Sequence, residues 1–328
     1  MDRRRFFQIS SATAALTALA GLWELDSGIL AAVSSGSSGE LSALDFGLAR
    51  RFVKTQQGHI AYLDIGKGPG ALFLHGFPLN SFQWRGVIPQ LSSLRRCIAP
   101  DLLGLGYTEV ADGQSVAPQA QVEMLVQLLD KLSLSSVDIV ANDSGGAIAQ
   151  LFITRFPDRA SSLILTNCDT EPDSPPAAVK PVIELGRAEK FADTWLAPWL
   201  ADKQLARSAQ GLGGQCYSNP ADPTDEAIQT YLAPLLSTPR RKALTNAYAA
   251  ALDPNPLAGI TAALKKCYVA TRIIWGAADT IFAPASADYL AQTVANSLGV
   301  RRVPGAKLFF PEEMPDLIVE EAKWVWSL

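Results

Sequence analysis

The sequence predicts an α/β protein in which a mostly parallel sheet is flanked by helices and interrupted by a helical insert. Three observations carry that expectation. Short, continuously apolar runs (ALFLHG at 71–76, VDIVAND at 137–143, SSLILTNCD at 161–169, RIIWGAAD at 272–279) have the pattern of strands buried on both faces. Between them lie segments of helical period, such as Val122, Leu125, Leu128, Leu129 and Leu132. From about Thr170 to Pro256 that alternation stops, and prolines, tryptophans and helix-like stretches replace strands. An insert between two core segments is expected over the ends of the strands, where open α/β sheets bind ligands.

The elements follow in order. Residues 1–44 read as an address and a linker. Arg3, Arg4 and Arg5, then Phe6, Phe7 and Gln8, precede a short Ala-rich apolar run, and the order is similar to the twin-arginine export signal. Cleavage after Ala20 fits a small-x-small site, and the apolar run is short for a membrane span. Export to the periplasm or beyond is therefore expected, with an uncleaved membrane anchor as the alternative. AAVSSGSSGE (31–40) reads as a flexible linker. A first core part spans 45–169. It opens with RRFVKT and HIAYLDIG as a hairpin across QQG. The apolar run 71–76 follows as a strand, FQWRGVIPQLSS (82–93) as a helix, and RRCIAPDLLG as a strand ending in a turn. The insert covers 170–257. A second core part, 258–328, holds the strand at 272–279, a helix in SADYLAQTVANS, a strand in VRRVPGA and a helix in IVEEAKWVW.

Composition excludes several function classes. The net charge of −4 and the lack of a basic patch give no footprint for nucleic acid. Cys97, Cys168, Cys216 and Cys267 are far apart with no C-x-x-C or Cys/His cluster, so buried free thiols are expected, and no metal or other cofactor. Only two histidines exist, His59 and His75.

The chemistry centres on VDIVANDSGGAIAQ, an apolar strand that turns through Asn142-Asp143-Ser144 into a helix of small residues. Two registers compete for the tip of the turn: Asp143, flanked by Ala141 and Gly145, or Ser144, flanked by Asn142 and Gly146. This strand–turn–helix resembles the nucleophile elbow of the α/β-hydrolase superfamily. The usual continuation, Nuc-x-Gly-Gly-Ala, matches Gly145-Gly146-Ala147 and puts Asp143 at the tip, with Ser144 supplying a backbone N–H. Three further motifs are similar to family segments. LHGFPLNSFQW resembles the loop giving a second oxyanion N–H, here from Phe77, with His75 pinning the loop. PDLLGLGYT resembles the Asp-x-x-Gly-x-Gly turn, and WGAADTIFAP the segment presenting the acid, here Asp279.

An aspartate at the tip resembles the branch containing haloalkane dehalogenases and epoxide hydrolases. That resemblance implies attack on an sp³ carbon of a small, mostly apolar epoxide or alkyl halide, or on an ester, with a covalent ester of Asp143 as intermediate. A histidine would then activate water, oriented by the acid. Its place, before F-P-x-E-x-P, falls in KLFFPEEMP on Phe309 counting back and on Leu308 counting forward. Neither accepts a proton. Glu312 and Glu313 are candidate substitutes, or simply helix-start carboxylates. Asp169 reads as a cap for the chain entering the insert, or as an orienting acid in place of Asp279. The places that grip a leaving halide in dehalogenases hold Ser144 and Phe77. Tyr217, Tyr231 and Tyr248 in the insert are candidates to protonate an epoxide oxygen, or packing residues. Trp195 and Trp199 read first as insert core and second as pocket wall. Two alternatives stand beside hydrolysis: a non-hydrolytic enzyme on the same scaffold, or a ligand-binding protein without turnover. The expected partner is a small molecule, and the sequence sets no oligomeric state.

Overall fold

The computed structural model describes residues 39–327. The expected export signal and the first part of the linker lie outside the described residues. The fold begins before the boundary at 44. Leu41 is buried, and Ser42 caps the helix Ala43–Ala49 in a reciprocal pair with Asp45. That capping box satisfies donors that a helix start would otherwise leave orphaned.

The strands are β1 (Arg51–Lys54), β2 (Gly58–Ile65), β3 (Gly70–Leu74), β4 (Arg96–Pro100), β5 (Glu109–Val110), β6 (Val137–Asp143), β7 (Ala160–Cys168), β8 (Ala270–Gly276) and β9 (Ser297–Val303). They form one sheet in the order β1-β2-β4-β3-β6-β7-β8-β9, with β5 on β2. Pairing is parallel from β4 through β9 and antiparallel where β2 meets β1, β4 and β5. The central strands β3 and β6 are buried along their whole length, which is why their sequences are mostly apolar without strict alternation. The expected hairpin forms, with Thr55 N–H on Gly58 O. Gly58 sits at φ 141°, and a Cβ there would lie 1.9 Å from Glu109 O, so only glycine closes this turn.

The helix expected over 82–93 is not one helix. Residues Ser81–Trp84 form a 3₁₀ turn capped by the Asn80 side chain, and a separate short helix spans Ile88–Leu91. Pro89 has no N–H for the carbonyl of Arg85, so the ladder breaks between them. The helix Pro118–Lys131 packs on Val122, Leu125, Leu128 and Leu129 as its spacing predicts. All four cysteines are free and buried.

Between β7 and β8 the described chain is helical, apart from an isolated Thr170–Asp173 bridge. These helices form a lid over the carboxyl ends of the parallel strands. A buried ionic cluster ties lid to core. Arg85 Nη1 lies 2.8 Å from Glu312 Oε1, and Glu312 Oε2 accepts from both Tyr217 and Tyr231 at 2.8 Å. Burial opposes the charge on Arg85, but Glu312, Tyr231 and Glu40 outweigh it and hold the guanidinium protonated above its ordinary range. Arg85→Met is expected to cost about 3–5 kcal/mol, because Glu312 is left charged and uncompensated. Adding Glu312→Gln should recover much of that loss, read as denaturation midpoints of the two variants.

Candidate active site

Asp143 ends β6 and precedes the helix Ser144–Arg155. Its backbone is at φ 54°, ψ −130°, a conformation that costs a non-glycine residue about 1–3 kcal/mol. The turn is held by close contacts. A Cβ on Gly145 would lie 2.7 Å from the carbonyls of Leu74 and His75, and one on Gly146 would lie 2.3 Å from Cys168 Cβ. The glycines after the turn are therefore fixed by packing between β3 and β7. Of the two residues that competed for the tip, Asp143 carries the left-handed φ and Ser144 opens the helix. The Ser144 hydroxyl is engaged elsewhere, accepting from Tyr248 at 3.0 Å.

The loop after β3 meets this turn. Phe77 N–H donates to Asp143 Oδ2 at 2.7 Å, and the Ser144 N–H also bonds the carboxyl. His75 is fully buried. Its Nε2 accepts from Leu102 N–H at 3.0 Å, which leaves Nδ1 to donate to Gly76 O at 2.8 Å. Both ring nitrogens are thus spent on backbone, and burial pushes the imidazole below its usual range. His59 is half-exposed, 3.6 Å from Glu109 in the hairpin, on a strand three places from β6. The Asp101 carboxyl closes its own turn by accepting from Ser81 and Tyr107 N–H.

Side-chain amides that sequence reasoning missed join these segments. Gln83 Oε1 accepts from Gly76 N–H at 2.9 Å, and Gln83 Nε2 donates to Asn142 Oδ1 at 2.7 Å. Asn142 Nδ2 donates to Thr166 Oγ1 and to Leu308 O. Asn167 clamps the end of β8 through both Gly276 backbone groups and donates to Asp279 Oδ2 at 2.7 Å. Asp279 also accepts from Ile281 N–H. The signal available in sequence was a lone polar residue inside each apolar run, which fits many buried amides as well.

Leu308, not Phe309, reaches the site. Leu308 lines the cavity with Asp143, Phe77, Ile281 and Phe282. Phe309 is fully buried behind it, edge-on to Tyr217 at 5.6 Å and against Gly76, so a register centred on Phe309 is corrected by one residue. The glutamates are committed elsewhere. Glu312 holds Arg85 and the two tyrosines, and Glu313 accepts from Ser218 and Asn219. Tyr217, Tyr231 and Tyr248 are buried and none lines the cavity. Trp195 and Trp199 do line it, 5.7 Å apart, so both are pocket wall as well as packing. Asp169 also opens into it, beyond a simple cap. The cavity is partly open to solvent, and most of its wall is apolar.

A strained turn with paired N–H donors under a helical lid is the geometry of a known fold, and the family model for the alpha/beta hydrolase fold matches residues 72–313. The chain belongs to that family. It is 26% identical over 293 residues to haloalkane dehalogenase 2 of Mycobacterium tuberculosis, covering 82% of this chain and 91% of that protein. It is 42% identical over 108 residues to epoxide hydrolase 2 of Siraitia grosvenorii, a local match to 32% of this chain and 34% of that protein. A solved alpha/beta hydrolase fold protein from Burkholderia ambifaria superposes with a TM-score of 0.69 at 26% identity, covering 83% of this chain and 96% of that one.

Three carboxyls gather at the mouth of this hydrolase fold. Burial pushes Asp143 well above the usual carboxylate range, and Asp169 adds to the shift, while the Phe77 and Ser144 N–H groups oppose it. Burial raises Asp169 to about 7 and also raises Asp279, whose N–H partners pull the other way. Gly76 separates the carboxyl of Asp143 from the Phe309 ring. A Cβ there would lie 2.7 Å from Asp143 Oδ2 and 2.8 Å from Phe309 Cε1. Gly76→Ala is expected to displace the Phe77 donor and slow the decay of a preformed Asp143 ester by about 10²-fold, the cost of removing one such donor. Intact mass over time is the measurement.

Proposed function

We propose that this protein is a hydrolase of small, mostly apolar electrophiles (an epoxide, alkyl halide or ester) that acts through the carboxylate of Asp143. The observation that carries the reading is the Phe77 N–H at 2.7 Å from a carboxyl oxygen held on a strained turn at the floor of an apolar cavity. Attack by Asp143 on an sp³ carbon forms an alkyl ester and expels halide or opens an epoxide. Water then adds to the ester carbonyl, and the N–H groups of Phe77 and Ser144 stabilise the oxyanion. Asp279 is the acid of the set, but no histidine stands against it. Leu308 fills the wall where a base would act.

The similarity to a haloalkane dehalogenase and an epoxide hydrolase supports a carboxylate nucleophile and a substrate of that class. The test is intact mass after exposure to an epoxide, an alkyl bromide and an activated ester, with Asp143→Asn as the control. A mass increase localised to Asp143, or turnover that the substitution removes, supports the reading. Neither adduct nor turnover across the three chemistries would sink it, and would favour a binding protein that kept the cavity.

A further inference from the structure

Resting on that reading, we infer that Asp169 is the proton carrier of this site and that epoxides are the substrates it is arranged to open. The cavity wall contains three titratable groups, Asp143, Asp169 and Cys216. Burial pushes the Cys216 thiol well above its usual range, so it stays neutral and gives up no proton. Outside the wall, the candidates are spoken for. His75 has both nitrogens on backbone, Tyr217 and Tyr231 donate to Glu312, Tyr248 donates to Ser144, and Asp279, outside the lining, has its two oxygens on Asn167 and on Ile281 N–H. Asp169 is what remains with access to the reacting centre.

Its position suits the role. β6 and β7 are parallel neighbours, with Asp143 level with Cys168, so Asp169 is the next residue along at the same rim. Ser174 donates to its Oδ1 at 2.9 Å, and Gln150 grips its backbone carbonyl at 2.8 Å. The carboxyl is oriented from behind and open to the cavity in front. The titratable groups around it are Asp143 from β6, Cys168 on its own strand, Asp173 on its own loop and Tyr248 from the lid. None is a cation, so two acids in an apolar space favour sharing one proton over carrying two charges.

The arrangement of this pair with the proton on Asp169 and the charge on Asp143, where the Phe77 N–H meets it, supplies an acid and a nucleophile together. Asp143 carboxylate attacks an epoxide carbon, the C–O bond of the ring breaks, and the departing oxygen takes the proton of Asp169. The products are a hydroxyalkyl ester of Asp143 and an ionised Asp169. Water then attacks the ester carbonyl while Asp169 accepts its proton. Collapse of the oxyanion expels the diol oxygen, which takes that proton back as the second hydroxyl. Asp143 is then a free acid group again, and one proton is shared as at the start once the solvent equilibrates the pair. The sum is epoxide plus water to diol. A halide leaves without needing a proton, so it makes no use of the donor half of this cycle.

The test separates the two steps. Benzyl bromide forms the ester without an acid, and intact mass follows the decay of the Asp143 adduct in oxygen-18 water. Wild-type ester decay is expected to rise with pH through about 7, where Asp169 becomes ionised. Asp169→Asn is expected to accumulate the ester, decaying about 10²–10⁴-fold more slowly and without that rise, the range that loss of a general base gives. Epoxide turnover should fall with it, and Asp169→Glu should restore part of both. Ester decay in wild type that is flat from pH 5.5 to 8.5, or equally fast in Asp169→Asn, overturns the inference and leaves the Asp143 reading standing. Finding neither an adduct on Asp143 nor turnover of benzyl bromide in wild type removes both.

Discussion

Asp143→Asn is expected to abolish adduct formation and to lower any turnover by on the order of 10⁴–10⁶-fold, the loss seen when a nucleophile is removed from a cooperative site. The substitution keeps the shape of the turn. It replaces the attacking oxygen with an amide nitrogen and sets an N–H group against the Phe77 donor at 2.7 Å, or rotates to keep the carbonyl there. Either way the protein should fold, since the turn is set by Gly145 and Gly146 against β3 and β7. Removing a carboxyl that burial disfavours should also leave it at least as stable as wild type above neutral pH. The measurement is labelling by a panel of electrophiles together with a thermal melt. Residual labelling at another residue would move the nucleophile away from the elbow.

Leu308→His is expected to speed ester decay, and the gain should be largest, about 10²–10⁴-fold, in protein that also carries Asp169→Asn. Leu308 shares the cavity wall with Asp143 and with Ile281 and Phe282, which follow Asp279 in its turn. Its carbonyl is already held by Asn142, so a new side chain enters on a fixed backbone. Phe309→His makes the contrast. Phe309 is enclosed by Tyr217 and Gly76, and a buried imidazole there should cost about 2 kcal/mol or more with no gain in rate. Single-turnover decay of a preformed ester, compared across the two variants, distinguishes them. No gain from Leu308→His would mean that more than the base is missing from this wall.

The carboxyl pair also sets a pH dependence of stability. Asp169 is raised in the folded protein to about 7 from an ordinary carboxylate value. A raised acid favours the folded state while protonated and loses that advantage as pH rises from the ordinary value through about 7. Asp169→Asn is therefore expected to raise the melting temperature at pH 8 and to leave it unchanged near pH 4. The ceiling is about 4 kcal/mol for a shift of this size. A melting temperature unchanged at pH 8 would mean that the Ser174 hydroxyl already compensates the buried charge.

The parallel core was legible because β3 is apolar throughout and β6 is apolar at Val137, Ile139, Val140 and Ala141 without strict alternation, a pattern that few other environments produce. The turn at Asp143 was legible for a different reason: its glycines are demanded by packing, and the demand shows as Gly145-Gly146-Ala147. The segment 82–93 was misread because its apolar spacing is helical while Asn80 and Pro89 act locally to divide it. Phe309 and Leu308 could not be separated in sequence, since both are apolar and adjacent. Which one faces the cavity depends on where the chain leaves β9 and on the Asn142 bond to Leu308 O. Asp169 was visible as a residue at a strand end, but its opening into the cavity is set by the lid.

Several ties between the loops at this mouth run from the amides of Gln83, Asn142, Asn167 and Gln150 to backbone or to one another and carry no titratable proton. Acid and alkali act on the carboxyls and leave these amide ties in place. A pH profile of this protein should therefore record proton transfer at the cavity separately from any change of shape, and its curve can be assigned to residues.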